Sequence, residues 1–384
     1  MKDFTYINTQ ADLEAHLPKL EGVNTLALDL EFDKNRFAYG FNLSLIQLNT
    51  GAHILLIDAL SISDLSAVFD VFEDEDVEKV VFAFGEDIRL LHTLNCFPKS
   101  ILDLSIAANL LNYEPCSLSS LSFKVLDVEE KKSSQKSNWL KRPLTDAQLD
   151  YAAEDVRHLI PLAEVMQEDI ATQNITDWLN EENHKYDLSD FSQTQDFSPL
   201  KTKDKKDLSE YQFYMLEQLM QLRESIAKER NSPGYHIVSK DVLLQLAKGE
   251  VMIKDLFTVK GVSKYFKTSD AKSSLHDILS SPKQKSQELG FSLTDPAIKR
   301  LSKEAYEEMR KNKLKSDKLI TNVLMPIKDH IKSAHGDHTA SFVFSNKIMN
   351  EISKSGLSTQ LPYKQKLIWD IAKEKNLDLS ELSN

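Results

Sequence analysis

The sequence predicts an α/β domain built on a mixed sheet, followed by all-helical units. Three observations predict it. Short apolar segments with strand-like alternation interleave with helix-like ones through about residue 185. A polar, aperiodic stretch, YDLSDFSQTQDFSPLKTKDKKD, then breaks the pattern. Beyond it apolar residues recur at helical spacing. The expected division is a first domain over 1–185, a linker over 186–207, a helical domain over 208–288 and a second helical domain over 295–378.

Segments 25–32 and 43–49 read as strands, and 52–57 as a third after the Asn49-Thr50-Gly51 turn. Their short links suggest an antiparallel meander. The short apolar runs 80–84 and 101–102 flank a helix-like stretch at 87–94, which suits strand–helix–strand crossovers and so a mixed sheet. Thr145, followed by Gln148, forms a capping box that opens a long helix running past Ala163. Downstream, Leu216, Leu219, Met220, Leu222 and Ile226 form one helical stripe, and Val242, Leu243, Leu244 and Leu246 begin another.

The 384 residues suffice for two or three domains. No apolar run reaches about eighteen residues, so no membrane span is expected. The start, MKDFTYINTQADLEAH, lacks the basic-then-apolar order of a secretory signal. Cys96 and Cys116 are the two cysteines and have no paired metal spacing, which fits a reduced cytoplasm. The net charge of −12 speaks weakly against nucleic acid, but its distribution is uneven. Residues 1–200 hold 15 Lys/Arg against 35 Asp/Glu, a balance of −20; residues 201–384 hold 32 against 24, a balance of +8. An acidic half suited to cations thus precedes a basic half suited to polyanions, with lysines clustered at 201–206, 260–267 and 311–318.

In a strand over TLALDLEF, Leu26, Leu28, Leu30 and Phe32 share one face, and Ala27, Asp29 and Glu31 the other. Two neighbouring carboxylates on an apolar strand repel each other and resist desolvation, and a divalent cation relieves both costs. Taken alone, an edge strand with one solvated face is the simpler account. In LDYAAEDV, Tyr151 and Asp155 are four apart and share a helix face, although a half-buried core tyrosine is the commoner use of such a residue. Glu154 and His158 make a second such pair, read as a surface contact. Asp87 follows an apolar strand near a helix start, where the dipole alone favours an acid, and Glu86 competes for any ligand role. The run EDEDVE at 73–78 reads as solvated surface.

In conjunction, the strand acid pair, the later acid and the Tyr-x-x-x-Asp helix resemble the DEDD exonuclease superfamily. Longer stretches are similar to ribonuclease D: LSLIQL (43–48), ILDLSIAANLL (101–111) and above all QKSNWLKRPLTDAQLDYAAEDV (135–156). The likeness is strong over about 20–175. It extends through 211–247, which resembles a helicase-and-RNase-D C-terminal (HRDC) domain; about the last 90 residues resemble a second one weakly.

The resemblance implies a ribonuclease H-like fold with HRDC-type helical domains. It implies that Asp29 bridges two metal ions, that Glu31 and Asp155 bind the ion that activates water, and that Asp87 serves the second. Tyr151 marks the tyrosine subclass; the histidine subclass has His at the position of Asp150 here. Asp103 matches a recurrent family acid outside the catalytic quartet. Relatives often carry His five positions before the third acid, where this chain has Phe82. All-oxygen ligands suit two Mg²⁺ or Mn²⁺ ions. The implied reaction is stepwise 3′→5′ hydrolysis releasing nucleoside 5′-monophosphates from structured RNA such as tRNA precursors. Lys136, Ser137 and Arg142 are candidate phosphate contacts, or equally ordinary polar residues of an exposed loop. A DNA-directed exonuclease and a non-catalytic RNA-binding module stand as alternatives. Protein partners are not legible.

Overall fold

The computed structural model describes residues 3–130, 137–192, 200–256, 258–299 and 301–382. The chain forms two compact units, one from residues 1–31, 43–193 and 304–384, the other from 32–42 and 194–303.

The first unit is built on a six-stranded mixed sheet among the described residues. Its strands are β1 (Phe4–Ile7), β2 (Thr25–Lys34), β3 (Phe41–Asn49), β4 (Ile54–Asp58), β5 (Glu78–Val81) and β6 (Ile101–Asp103), in the order β1-β4-β3-β2-β5-β6. β3 and β4 are antiparallel; β1 with β4, β2 with β5, and β5 with β6 are parallel. Strand β1, which the sequence reading passed over, closes one edge. Strand β2 lies inside the sheet, which disposes of the edge-strand account of its acid pair. Its leucines 26, 28 and 30 and Ala27 are all buried, so both faces of the strand are covered.

Helices link the strands, α1 (Gln10–His16) after β1, α2 (Ser66–Glu73) after β4 and α3 (Gly85–Thr93) after β5, and α4 (Leu104–Leu110) and α5 (Leu118–Leu126) follow β6. After them come α6 (Asp146–Arg157), α7 (Leu159–Thr172) and α8 (Thr176–Leu188). The capping box at the start of α6 is formed: Gln148 N donates to Thr145 Oγ1, and Thr145 N to Gln148 Oε1. Helix α8 runs three residues into the segment read as linker, of which 193–199 lie outside the described residues.

The second unit holds α9 (Glu210–Glu229), α10 (Gly234–Ile237), α11 (Lys240–Lys248), α12 (Ile253–Leu256), α13 (Ser269–Leu279) and α14 (Pro282–Leu289). The expected stripe closes its core, with Leu216, Leu219 and Leu243 fully buried. The loop before β3 belongs to this unit: Tyr235 Oη donates to Arg36 O at 2.8 Å, and Tyr39 N to Asn231 Oδ1 at 3.1 Å.

The remaining helices, α15 (Lys303–Leu319), α16 (Met325–His335), α17 (Asp337–Val343), α18 (Asn346–Ser355) and α19 (Pro362–Glu374), return to the first unit. Val343 and Tyr363 join the apolar cluster that contains Trp139 and the buried face of α6. At the α16–α17 corner Gly336 has φ +94°, and a Cβ there would fall 2.2 Å from the Asn112 side chain. Asn112 Oδ1 accepts from His338 N at 2.9 Å, and Thr339 Oγ1 donates to Asn109 O at 3.1 Å, fixing α17 against the end of α4. Among the described residues no helix is long and apolar enough to cross a membrane.

One ion pair ties the segment before α6 to the sheet. Arg142 Nε and Nη2 donate to the two oxygens of Asp58 at 2.5 and 2.6 Å, and Tyr6 Oη donates to the same side chain at 2.5 Å. Burial would push the Asp58 carboxyl up, but the Arg142 guanidinium and the Tyr6 hydroxyl outweigh it and hold it below the usual range. Replacing Arg142 with Met leaves Asp58, 1% exposed, without its countercharge. The expected loss is about 3 kcal/mol of folding stability, the lower end of the range for breaking a buried pair. Urea unfolding of the two proteins measures it; a change under about 0.5 kcal/mol, the usual limit for a surface substitution, would refute the clamp.

Candidate active site

Asp29 and Glu31 lie on the face of β2 that carries Ala27, whose apolar cluster also contains Ala152 and Ala153 of α6. Those two alanines are fully buried, and their small side chains let α6 lie close to the sheet. The C-terminal carbonyls of α6 are satisfied from β3: Asn49 Nδ2 donates to Val156 O at 3.0 Å and to Arg157 O at 3.3 Å. Between the cap and this anchor, Tyr151 and Asp155 share one face, and the Tyr151 hydroxyl favours the charged form of the Asp155 carboxyl. The Tyr151 ring lies 6.2 Å from that of Trp139. Asp87 sits in the first turn of α3, 8% exposed.

The four carboxyl groups feel one another. Burial pushes Glu31 up to about 10, and the charges of Asp29, Asp155 and Asp87 add to it. Asp155 rises through burial and the charge of Asp29, against the Tyr151 hydroxyl. Asp87 rises through burial, then Asp29, Asp103 and Glu86; Asp29 rises through burial. Among the described residues, no lysine, arginine or histidine figures in the groups acting on these four. Two buried and two half-buried acids without a countercharge among the described residues fit an external cation, and all-oxygen donors fit a hard one. Among the described residues, no three side chains close into a ready-made metal cage. Small hard ions that keep several waters and share substrate oxygens do not need one.

The turn that delivers Asp87 is strained. Ala83 has φ +57°, a conformation costing a residue with a Cβ on the order of 1–3 kcal/mol. Asp103, at the end of β6, holds it: Oδ1 accepts from Ala83 N at 2.9 Å and Oδ2 from Phe84 N at 3.1 Å. The same side chain caps α4 through Ser105 N at 2.8 Å. Sequence reasoning recognised this acid without its task, because the task depends on a backbone angle that no pattern encodes. Gln47 was passed over too. It is fully buried on β3, and neither of its amide atoms has a partner among the described residues. An amide inside the apolar run LSLIQL was the available signal.

The other candidate residues are placed elsewhere. Arg142 faces inward, giving its guanidinium to Asp58 and to the carbonyls of Trp139 and Ser44. Ser137 is half-buried in the bend before Trp139, and Lys136 lies outside the described residues. Glu154 and His158 meet at 3.1 Å, in the side contact expected of them. A cavity of about 550 Å³ lined by residues including Glu78, Ile101, Asn183 and Asp187 contains none of the four acids. Both cysteines are free.

A family profile described as 3′-5′ exonuclease matches residues 4–171, and a profile of the HRDC domain matches 212–272. Ribonuclease D of Desulfotalea psychrophila is 31% identical over 252 residues, which cover 64% of this chain and 67% of that protein. Ribonuclease D of Haemophilus influenzae is 31% identical over 234 residues, covering 59% of this chain and 57% of the relative. The crystal structure of Escherichia coli RNase D aligns over 97% of this chain and 99% of that one, with a TM-score of 0.66 and 21% identity, a likeness of fold. Two domain profiles in the order that the sequence suggested, and a relative matched across two thirds of its length, make the conclusion plain: this chain belongs to the ribonuclease D family of 3′→5′ exoribonucleases.

Proposed function

We propose that this chain hydrolyses RNA from its 3′ end at a site formed by Asp29, Glu31, Asp87, Tyr151 and Asp155, releasing nucleoside 5′-monophosphates. The observation that supports the reading is four acids at one site, each with its pKa raised by burial and three of them further by the charge of Asp29, with no cation among the described residues figuring in those shifts. Exonucleases of this class depend on divalent metal. Two Mg²⁺ or Mn²⁺ ions held there would activate a water and neutralise charge on the scissile phosphate and the departing 3′ oxygen. Asp29 would serve both ions, with Glu31 and Asp155 holding one and Asp87 the other. The Tyr151 hydroxyl orients the water; an ordinary phenol titrates near 10, so Tyr151 is a positioning donor and acceptor rather than the base. Structured RNA such as tRNA precursors is the proposed substrate, in the reduced cytoplasm that the free cysteines fit. The proposed domains are 1–185, 208–288 and 295–378, with the lysine-rich helical part holding the RNA.

The raised carboxyls give a signed prediction. Their folded forms bind protons more tightly than the unfolded chain does, so stability falls as pH rises from the ordinary carboxylate range toward 9. The melting temperature of the metal-free protein should therefore drop between about pH 5 and pH 9, and Mn²⁺ should restore it by binding the folded state. Asp29→Asn should raise the metal-free melting temperature at pH 8, cancel the Mn²⁺ effect and abolish turnover. Normal turnover by that variant, or by the parent in excess chelator, would overturn the metal reading.

Tyr151→Phe keeps the ring beside Trp139 but removes the hydroxyl. The expected loss in kcat is about 10²-fold with Mn²⁺ affinity held. An unchanged kcat would reduce Tyr151 to a packing residue.

Replacing Lys260, Lys264 and Lys267 with Gln should weaken binding of folded RNA and flatten its dependence on log salt by about 2, three contacts at roughly 0.7 each. Cleavage of short oligonucleotides at saturation should persist. An identical salt slope would remove this patch from RNA capture, and equal rates on matched DNA would favour the DNA-directed alternative.

A further inference from the structure

Asp87 enters the site through a turn that has no freedom of its own, and the bonds fixing that turn lead away from the site. Asp103 N donates to Asn183 Oδ1 at 2.9 Å, and Tyr186 Oη donates to Asp103 Oδ2 at 2.6 Å. Both partners belong to α8. One turn earlier, the same helix is gripped by α19. Trp178 stacks on Tyr363 with ring centroids 5.2 Å apart, and Tyr363 N donates to Glu181 Oε2 at 2.9 Å. Glu182 Oε1 takes the Tyr363 hydroxyl at 2.5 Å and the Lys364 ammonium at 2.8 Å, with the Lys364 and Glu182 side chains each 4% exposed.

We propose that α19 sets the position of Asp87 through α8, by a relay running from Tyr363 and Lys364 to Glu182, from Asn183 and Tyr186 to Asp103, and from Asp103 to Ala83 and Phe84. The proposal rests on Asp87 being a metal ligand. On this account the C-terminal helices have a second use besides any contact with RNA: they are the support that keeps one ligand in place.

The physical case has three parts. Asp87 sits in the first turn of α3 and is 8% exposed, so contact with water does not fix its position. Its place is instead dictated by the entry to α3, where Ile88 N donates to Phe84 O at 3.0 Å. That entry is strained at Ala83 and is kept by bonds to one side chain, Asp103. Asp103 is in turn kept by α8, whose buried Glu182 takes Lys185 of its own helix at Oε2 and Tyr363 and Lys364 of α19 at Oε1, so α19 fills one side of the carboxylate. Glu182, Asn183, Asp103 and Phe84 are buried and Tyr186 is half-buried, so water does not readily replace a bond lost among them; only the Ala83 end of the relay is exposed.

The test uses the full chain with Tyr186→Phe, Lys364→Met, Lys364→Arg and, as a control in the same C-terminal segment, Lys332→Met, which breaks an exposed pair with Asp337. Three quantities are read without RNA: Mn²⁺ affinity by calorimetry, amide exchange at Ala83 and Phe84 in metal-free protein, and melting temperature. Tyr186→Phe should weaken Mn²⁺ binding about 10- to 100-fold, the range for a group behind a ligand, and should speed exchange at Ala83 and Phe84. Lys364→Met should shift both readings the same way, Lys364→Arg should restore them, and Lys332→Met should leave them alone. Should Tyr186→Phe fail to fold, the two Lys364 variants decide the matter. Lower melting temperatures with parental Mn²⁺ affinity and parental exchange would make these contacts plain stability contacts and overturn the relay. A parent that binds no Mn²⁺ would sink the metal reading instead, and exchange at the two amides would still report whether the chain of bonds holds.

Discussion

Repulsion among four carboxyl groups, two buried and two half-buried, is the constraint around which the first unit is organised. Acids left to themselves would turn to water or take up protons, and neither keeps a metal site. The fold prevents the first by mounting each acid on an element that cannot yield. Asp29 and Glu31 are on an interior strand, Asp155 on a helix fastened at both ends, and Asp87 behind a pinned turn. Raised pKa values are the visible residue of that arrangement. The stability given up at the site is made good by the apolar cluster beneath it, where the small faces of Ala152 and Ala153 let helix and sheet approach.

The same logic explains why so many buried polar contacts in this unit concern positioning. Arg142 and Tyr6 satisfy Asp58 at the end of β4, Asn49 completes α6, and Asp103 serves two backbone segments at once. Most of these join residues far apart in the chain and fix the angle between elements more than they add net stability. A site that tolerates errors of only about half an ångström needs such fixing.

Much of this was legible in the sequence, and the limits are physical. The acid pair on β2 and the Tyr151–Asp155 pair followed from periods of two and of about four, which are properties of local backbone geometry. The α6 capping box was readable for the same reason. Arg142 was not: a cation in a loop looks alike whether it waits for phosphate or holds a buried Asp58 84 residues away. The role of Asp103 depends on Ala83 adopting a left-handed conformation, which no composition or spacing announces. The amphipathic pattern of the last helices told that they bury one face, but nothing in it told that α17 and α19 bury theirs against α4 and α8. Strand β1 was too short to register as a pattern of its own.

The bond between Glu182 and Tyr363 spans 181 residues of chain. Contacts of such separation form late, because the closure of a large loop must precede them. During synthesis at about 5–20 residues per second, roughly 10–40 s pass between the emergence of α8 and that of α19. Throughout that interval the sheet and its four acids exist without their last support, and Glu182 and Trp178 stand exposed. An enzyme that degrades RNA thus reaches this arrangement only after α19 has been made. The order of its segments acts as a timer.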